Sequence, residues 1–388
     1  MKLNFIDLFS GAGGMSAGFM EAGLNCLAGI DFNKDAIQTF SHNHKNSISI
    51  CDDIRKIKIK NFLNKIGNKK IDIICGGPPC QGFSTIGPGD AEDSRNHLFL
   101  EFVRFVKNIK PKIIVVENVT GLLAKKNINT LKSIFKCFEK LGYNLDIRVL
   151  SSHHYGVPQA RRRVIIIGNN FSVENLYPKK KFDINFDKKN GIMPSKTVGD
   201  VFSKIKPNDY NQDLRKAEIS KKIEKDRIKY IPEGKSVRYQ KDEIQFLPRR
   251  LWFDINWNEI GENRFREAKL LRLDRKKPSP TIVTNGRMYY HPTEDRYLTS
   301  REAASLQSFS KKFKFFGSNT SQWTQIGNAV PPVMAKEIGK CLIKMINSKK
   351  IIKDKLGVKD IEHIRSSAFN YDKDVYENKR QSQMNFTF

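Results

Sequence analysis

The feature that most constrains the fold is a regular alternation of short apolar runs with amphipathic stretches over the first part of the chain. Apolar runs typical of buried strands occur at 3–8, 26–30, 71–74, 113–116, 145–150 and 164–167. Amphipathic stretches that predict helices lie between them, at 15–22, 34–42, 97–109 and 128–141. This order is that of a doubly wound α/β sheet, which binds ligands at the carboxyl ends of its strands.

The alternation ends near residue 170, and the chain is then polar, basic and irregular, with short aromatic islands, until about residue 295. We interpret this region as an inserted or second domain. A helical pattern returns at 299–307, where Thr299 and Glu302 have the spacing of a capping box. Pro331 and Pro332 then begin a last helix that extends to about Asn347. Residues 348–388 are charged and weakly periodic, which predicts a partly helical or mobile tail.

Charge and cysteine usage narrow the class of protein. The formal net charge of +28 would attract polyanions, nucleic acid first among them. The alternative is that abundant Lys, Asn and Ile reflect an AT-rich genome, in which case the charge would be evenly spread. Six cysteines without a C-x-x-C pair favour neither a disulfide framework nor a zinc site, so we expect no metal and a reducing setting. Because no run reaches about 18 apolar residues, the sequence predicts a soluble, cytoplasmic protein without membrane contact.

A glycine-rich turn follows the first predicted strand and leads into a helix. Glycines at Gly11 and Gly13 allow the backbone to approach a ligand closely, and Asp31 ends the next strand, where a carboxylate can bind ribose hydroxyls. A tight turn without a ligand is the alternative. The spacing differs from G-x-G-x-x-G and no Walker lysine follows, which favours a nucleoside without a pyrophosphate. Asp53 could accept from an adenine amino group, with Ile54 against the ring.

A second group of candidate residues follows three other predicted strands. Cys80 lies in the segment GGPPCQGFS, where a proline-stiffened turn predicts an exposed thiol. Glu117 ends the strand at 113–116, so its carboxylate should emerge at the same edge of the sheet. If residues 159–164 are extended, Arg161 and Arg163 share one face and can hold a phosphate or a ring carbonyl, while Arg162 takes the other face. Each of these side chains also has an ordinary structural explanation.

Taken in order, these segments resemble the DNA (cytosine-5)-methyltransferases of bacterial restriction–modification systems. The matching motifs are at 7–14, 77–84, 117–119, 159–163, 301–309 and 327–332. The resemblance implies a Rossmann-like, doubly wound mixed sheet of the S-adenosylmethionine-dependent methyltransferase fold, with a smaller, irregular, β-rich target-recognition domain. It places the catalytic domain at 1–172, completed by 319–347, the target-recognition domain at 173–318 and a charged tail at 348–388.

The resemblance also implies an activity and a set of site residues. The reaction is transfer of a methyl group from S-adenosyl-L-methionine to carbon 5 of a cytosine that is flipped out of double-stranded DNA, giving S-adenosyl-L-homocysteine. The implied catalytic residues are Cys80, which adds to carbon 6, Glu117, Arg161 and Arg163. The implied substrate contacts are Gln81, Ser84 and Gln159. The implied cofactor pocket is lined by Phe9, Gly11, Gly13, Asp31, Asp53, Ile54, Asn328 and Val330.

Several alternatives stay open at this point. Cys51 precedes Asp52 and Asp53 where the family usually has a glycine, so either acid could be the adenine contact. A cytosine-5 methyltransferase that acts on tRNA shares most of these motifs, and a catalytically silent DNA-binding relative would keep the fold. The missing G-x-G-x-x-G disfavours a nicotinamide oxidoreductase. The family resemblance further implies a monomer, and a cognate restriction endonuclease that acts on the same site without a stable complex.

Overall fold

A computed structural model describes residues 2–79, 94–348 and 357–370. The chain divides into two units. The first unit comprises Met1–Gly156, Arg161–Pro194 and Ala329–Phe388, and the second comprises Val157–Ala160 and Ser195–Asn328. Among the described residues, no helix combines the length and apolar character needed to cross a bilayer.

The first unit is built on a seven-stranded mixed sheet of order β3-β2-β1-β4-β5-β7-β6. Its strands are β1 (Asn4–Leu8), β2 (Asn25–Asp31), β3 (Ile48–Cys51), β4 (Ile73–Gly76), β5 (Ile113–Asn118), β6 (Asn144–Ser151) and β7 (Arg162–Asn169). Neighbouring strands from β3 to β5 are parallel, whereas β7 is antiparallel to both β5 and β6. The predicted doubly wound mixed sheet is therefore confirmed.

Helices connect the strands of this sheet. They are α1 (Gly14–Glu21), α2 (Lys34–Asn43), α3 (Ile59–Lys65), α4 (Ser94–Ile109) and α5 (Ile128–Glu139). The start of α2 shows how local sequence fixes a boundary, since the side chain of Asn33 accepts a hydrogen bond from the backbone N–H of Ala36 at 3.0 Å. Central strand residues such as Ile74 and Ile114 are fully buried in the main apolar core.

The remaining elements of the first unit come from distant parts of the chain. A short parallel pair consists of β8 (Phe182–Asp183) and β9 (Met193–Pro194). The helix predicted at Pro331 and Pro332 is α11 (Pro332–Ile346), and it packs against α1 so closely that a Cβ on Gly18 would lie 2.2 Å from the carbonyl oxygen of Pro332. The late part of the chain thereby completes the first unit.

Residues 357–370 also belong to the first unit. They form a short 3-10 helix and then α12 (Ile361–Asn370), in which Ile361, Ile364 and Ala368 are buried in the main core. Their packing is fixed at its start by Glu139, whose carboxylate accepts from the backbone N–H of Val358 at 2.8 Å. This part of the predicted tail is thus helical and contributes to the core.

The second unit has its own apolar core, which includes Ile228, Val237, Trp257 and Tyr290. Its helices are short: α6 (Val198–Phe202), α7 (Lys222–Ile228), α8 (Gln240–Phe246), α9 (Ser300–Leu306) and α10 (Asn319–Asn328). Its strands form two ribbons, β10 (Val237–Tyr239) with β11 (Arg264–Lys269), and β12 (Leu271–Arg272) with β13 (Tyr289–Tyr290).

Helix α9 begins with the capping box that the sequence predicts. The backbone N–H of Glu302 donates to Thr299 Oγ1 at 3.1 Å, and the backbone N–H of Thr299 donates to the Glu302 carboxylate at 2.9 Å.

The unit boundaries differ from the predicted domain boundaries in two places. Residues 173–194, predicted in the target-recognition domain, lie in the first unit, where Lys181 pairs with Glu337 of α11 at 2.5 Å. Residues 319–328, predicted to complete the catalytic domain, lie in the second unit. The reason is close packing of α10 there, since a Cβ on Gly327 would lie 2.5 Å from the backbone of Val283. The assignment of catalysis and target recognition to these units stays a prediction.

Candidate active site and cofactor cleft

The glycine-rich turn between β1 and α1 has a left-handed backbone at several positions. The φ angles are 61° at Phe9, 52° at Gly11 and 87° at Gly13. Among the described residues, leaving aside Gly11 and its two chain neighbours, no atom lies within 4 Å of the position that a Cβ on Gly11 would occupy, so the backbone there borders open space. Such a turn can place a ligand directly against main-chain groups.

Asp31 lies beside this turn, at the end of β2. Its carboxylate accepts hydrogen bonds from the backbone N–H of Gly11 at 2.8 Å and of Asn33 at 2.9 Å. Burial raises the pKa of Asp31, and these backbone hydrogen bonds oppose the shift. The structure therefore brings together Gly11 and Asp31, two of the predicted cofactor residues.

The pair Asp53 and Ile54 follows β3. The Asp53 carboxylate pairs with the guanidinium of Arg55 at 2.6 Å, and this contact lowers the pKa of Asp53. Ile54 is buried in the main core. Asp52 accepts a hydrogen bond from the backbone N–H of Asp53 at 2.7 Å. The choice between the two acids as the adenine contact stays open.

The ends of β4 and β5 meet at the same edge of the sheet, as predicted. The Asn118 side chain donates to the carbonyl oxygen of Pro78 at 3.0 Å. A Cβ on Gly77 would lie 3.3 Å from Glu117 Oε2, so the start of the Gly-Pro-Pro-Cys segment passes directly beside this carboxylate. Cys80, Gln81 and Ser84, which follow in sequence, lie outside the described residues.

Glu117 is buried and contacts the arginine motif. Arg163 Nε lies 3.0 Å from Glu117 Oε1. Burial raises the pKa of Glu117, and the positive charges of Arg163 and Arg161 oppose that shift. Arg161 is only 1% exposed, and burial lowers its pKa to about 9, so the guanidinium stays protonated at neutral pH. One carboxylate and two guanidinium groups thus lie close together at the end of β5.

The alternation predicted for the arginines is confirmed. Arg161 and Arg163 both act on Glu117, whereas the Arg162 guanidinium lies 5.9 Å from the ring centroid of Phe369 in α12. The antiparallel register explains the arrangement, because Asn118 pairs with Val164 and Arg163 is the next residue along β7.

Gln159 lies in the interior of the second unit. Its side-chain oxygen accepts from the backbone N–H of Ile282 at 2.7 Å, and its side-chain nitrogen donates to Gln307 Oε1 at 2.9 Å. The amide group of Gln159 is therefore hydrogen-bonded within the protein. The role of Gln159 as a substrate contact stays a prediction.

The two predicted cofactor residues near the end of the chain fall in different units. Asn328 is the exposed last residue of α10 in the second unit, and Val330 is buried in the first unit.

Two residues beside the predicted cofactor residues were not anticipated from the sequence. Phe32 directly follows Asp31 and is 76% exposed, an unusual position for a large apolar side chain. His44 is buried, and its ring lies against the turn at Gly13. The apolar residue after the strand-terminal acid could have indicated Phe32, but no local pattern indicates His44.

One group of side chains in the described part of the chain has the composition of a metal site. The possible ligand atoms of His153, His154 and Asp183 lie within 4.8 Å of one another. The ammonium of Lys180, however, contacts the Asp183 carboxylate and already supplies a positive charge there. The prediction that the protein uses no metal stays untested.

Comparisons with known proteins agree with this arrangement. A family model for C-5 cytosine-specific DNA methylase matches residues 3–344. The chain is similar to the Type II methyltransferase M1.HphI of Haemophilus parahaemolyticus, with 34% identity over 352 residues that cover 89% of this chain and 88% of the relative. It is also similar to the Type II methyltransferase M.NgoFVII of Neisseria gonorrhoeae, with 35% identity over 357 residues that cover 89% and 88% of the two chains.

A solved structure shows the same fold. It is the crystal structure of a prophage-encoded E. coli protein described as a DNA modification methyltransferase, with a TM-score of 0.68 and 25% identity. The match covers 89% of this chain and 100% of that one. The motifs, the mixed sheet and the family match across most of the chain agree. The chain therefore belongs to the C-5 cytosine-specific DNA methylase family, and its enzyme class is that of the DNA (cytosine-5-)-methyltransferases.

Proposed function

We propose that this protein methylates carbon 5 of a cytosine in double-stranded DNA through a covalent Cys80 adduct, as the modification enzyme of a restriction–modification system. The proposal is carried chiefly by the buried Glu117–Arg163 ion pair at 3.0 Å, next to the segment that leads to Cys80. The Type II names of the relatives support the biological setting.

We place S-adenosyl-L-methionine beside the glycine turn. When bound, this cofactor supplies an electrophilic methyl group. The open space at Gly11 accommodates a ligand against the backbone, and the Asp31 carboxylate can accept hydrogen bonds from ribose hydroxyls. The exposed ring of Phe32 offers an apolar surface for an adenine base. We assign Phe9, Gly13, Asp53, Ile54, Asn328 and Val330 to the same pocket by their motif positions.

The chemistry requires that the cytosine ring be activated, because carbon 5 of an aromatic pyrimidine is a poor nucleophile. The Cys80 thiolate forms a bond to carbon 6, and the electron pair displaced from the 5,6 double bond makes carbon 5 nucleophilic. Glu117 hydrogen-bonds ring nitrogen 3 and the exocyclic amine. Since burial raises its pKa, its protonated form can donate to nitrogen 3.

The arginines and the last proton transfer complete the reaction. Arg163 contacts the ring oxygen, and Arg161 keeps a second positive charge near Glu117. Once carbon 5 carries the methyl group, a base removes the carbon 5 proton, the double bond forms again and Cys80 leaves as a thiolate. Gln81 and Ser84 are assigned to the bound nucleotide.

DNA recognition is assigned to the second unit. The ribbon of β10 and β11 carries exposed Arg266 and Lys269, and the Lys241 ammonium lies 5.5 Å from the ring centroid of half-exposed Tyr239. A two-stranded ribbon of this kind fits the major groove. The target cytosine must be flipped out of the duplex, which costs a few kcal/mol that contacts with the protein offset.

The setting of the enzyme follows from the same proposal. We infer a cytoplasmic monomer whose partner is double-stranded DNA. A restriction endonuclease that cuts the same site would act on that DNA without forming a stable complex with the methyltransferase.

Trapping with a modified substrate tests the mechanism. A duplex with 5-fluorocytosine at the target should form a covalent complex with the wild-type protein in the presence of S-adenosyl-L-methionine, because fluorine cannot leave as a proton does. Mass spectrometry should place the adduct on Cys80, and Cys80→Ala should give no adduct while still binding the duplex. An active Cys80→Ala protein would refute the mechanism. Sequencing of methylated cytosines in DNA and in tRNA from expressing cells separates the DNA enzyme from the tRNA alternative.

A further inference from the structure

The side chain of His44 lies beneath the glycine-rich turn. His44 follows the last residue of α2 and is 2% exposed. Its backbone is fixed on both sides, because its N–H donates to the carbonyl oxygen of Phe40 at 2.9 Å and its own carbonyl oxygen accepts from Ser47 at 2.9 Å. The imidazole ring also packs against the ring of Phe40, with centroids 4.4 Å apart.

Gly13 packs directly against this ring. A Cβ on Gly13 would lie 2.2 Å from His44 Nε2 and 2.7 Å from Phe40 Cδ2, both closer than real Cβ contacts. The φ angle of 87° at Gly13 gives the turn this path, and a hydrogen bond from the Gly13 N–H to Ser10 at 2.9 Å closes it. The imidazole ring therefore fills the space that any side chain at position 13 would need.

The same two rings connect the turn to β2. A Cβ on Gly29 would lie 2.3 Å from the Phe40 ring, so glycines at both positions leave room for the two packed rings. Strand β2 ends at Asp31, which holds Gly11 by a 2.8 Å hydrogen bond. The turn is thus held at Gly11 by a carboxylate and at Gly13 by an imidazole.

The imidazole is uncharged at neutral pH. Burial lowers the pKa of His44 to about 4, and hydrogen bonding to the backbone of Gly13 and Ala12 opposes this shift. A neutral ring can pack against the main chain without bringing a buried charge into the turn.

We propose that His44 is a positioning residue for the cofactor, which sets the path of the turn from Gly11 to Gly13 by packing beneath Gly13. His44 itself lies on the interior side of the turn. Its replacement should therefore weaken cofactor binding through the backbone, while target recognition stays as it is. This inference rests on the proposed function, because the ligand of the turn is taken to be S-adenosyl-L-methionine.

Binding and kinetics of His44→Ala test the inference. By isothermal titration calorimetry, the Kd for S-adenosyl-L-homocysteine should rise about tenfold, since small displacements of a preorganised site are costly. The KM for S-adenosyl-L-methionine should rise with it, while the KM for DNA changes less than about twofold. His42→Ala, which removes an exposed histidine from the same helix, is the matched control and should leave all three constants unchanged.

A double-mutant cycle separates positioning from a general loss of stability. Gly13→Ala in the wild type places a methyl group against both rings, whereas in His44→Ala the clash with the imidazole is removed and only the contact with Phe40 Cδ2 and the backbone strain at φ 87° remain. The fold-increase in the Kd for S-adenosyl-L-homocysteine in the double variant should therefore be smaller than the product of the fold-increases in the two single variants. His44→Gln keeps a hydrogen-bonding side chain without the ring. If His44→Ala does not fold, His44→Gln takes its place in all of these measurements.

The outcomes distinguish this inference from the proposed function. If the wild type binds neither S-adenosyl-L-methionine nor S-adenosyl-L-homocysteine, both fail. If the wild type binds and His44→Ala binds as well as His42→Ala, or if the Gly13 and His44 losses multiply independently, only the positioning role of His44 is overturned.

Discussion

Asp7 offers a direct test of the electrostatics in the strand that leads to the glycine-rich turn. This residue lies in the central strand β1, is 2% exposed and accepts a hydrogen bond from the Ser16 hydroxyl at 2.6 Å. Burial raises the pKa of Asp7 from 3.8 to about 7, the Ser16 hydrogen bond opposes this shift, and the nearby charge of Asp31 adds to it. We predict that Asp7→Asn makes the protein less sensitive to pH.

The sign and size follow from proton linkage. Between pH 3.8 and about 7 the unfolded chain has lost the Asp7 proton while the folded protein keeps it, so stability falls as pH rises through this range. At 1.36 kcal/mol per pKa unit, the cost of burying this group is about 2 kcal/mol at pH 5 and about 4 kcal/mol at pH 8. The asparagine variant has no such pH-dependent cost. Its free energy of unfolding should therefore rise by roughly 2–3 kcal/mol relative to that of the wild type between pH 5 and pH 8.

Urea unfolding at pH 5 and pH 8 measures this difference, and a control fixes its origin. Glu337→Gln alters a carboxylate in the same unit whose pKa is lowered by Lys181 and Lys340, despite opposing burial. Because the pKa of Glu337 is lowered from 4.5 in the folded protein, its charge changes little between pH 5 and pH 8 in either state, so the effect of its substitution should be nearly the same at both pH values. If the stability difference between wild type and Asp7→Asn does not change with pH, the folded protein does not hold the Asp7 proton and the reasoning is wrong.

Further predictions concern the active site, the C-terminal helix and the charge. Glu117→Gln should lower the single-turnover methylation rate by a factor of about 10²–10⁴ with little change in DNA affinity, because the loss is in ring activation; a rate within a few-fold of the wild type would exclude the proposed role. Ile364→Ala should destabilise the protein by about 2–5 kcal/mol in urea unfolding, compared with an exposed control, Glu362→Ala; equal stability of both variants would mean that α12 does not contribute to the core. The logarithm of the DNA affinity should fall steeply with the logarithm of salt concentration, and a flat response would mean that the charge of +28 is compositional.

Much of the fold could be predicted because its signals are local. Strand and helix periodicity, the capping pattern at Thr299 and the proline start of α11 each depend on residues a few positions apart. The meeting of Glu117 with the Gly-Pro-Pro segment also followed from sequence, since parallel strands end at one edge of the sheet. Alternation along an extended chain likewise separated Arg162 from its neighbours.

The remaining contacts depend on how distant segments pack. Gln159 belongs to the same motif as the arginines, but its hydrogen bonds to Ile282 and Gln307 join segments more than a hundred residues apart and could not be read from the motif. Residues 357–370 have weak periodicity, and their helix is stabilised by the apolar surface that Ile364 covers.

By itself, therefore, the sequence determined the sheet, the order of the motifs and the chemical types of the site residues, because each is encoded over a few neighbouring positions. Only the tertiary structure decided that Arg163 pairs with Glu117, and that each of the two units is built from non-contiguous segments of the chain. It also decided that His44 lies beneath Gly13. These features depend on register and close packing between residues far apart in the chain, where a difference of one ångström separates contact from clash and no local pattern records the outcome.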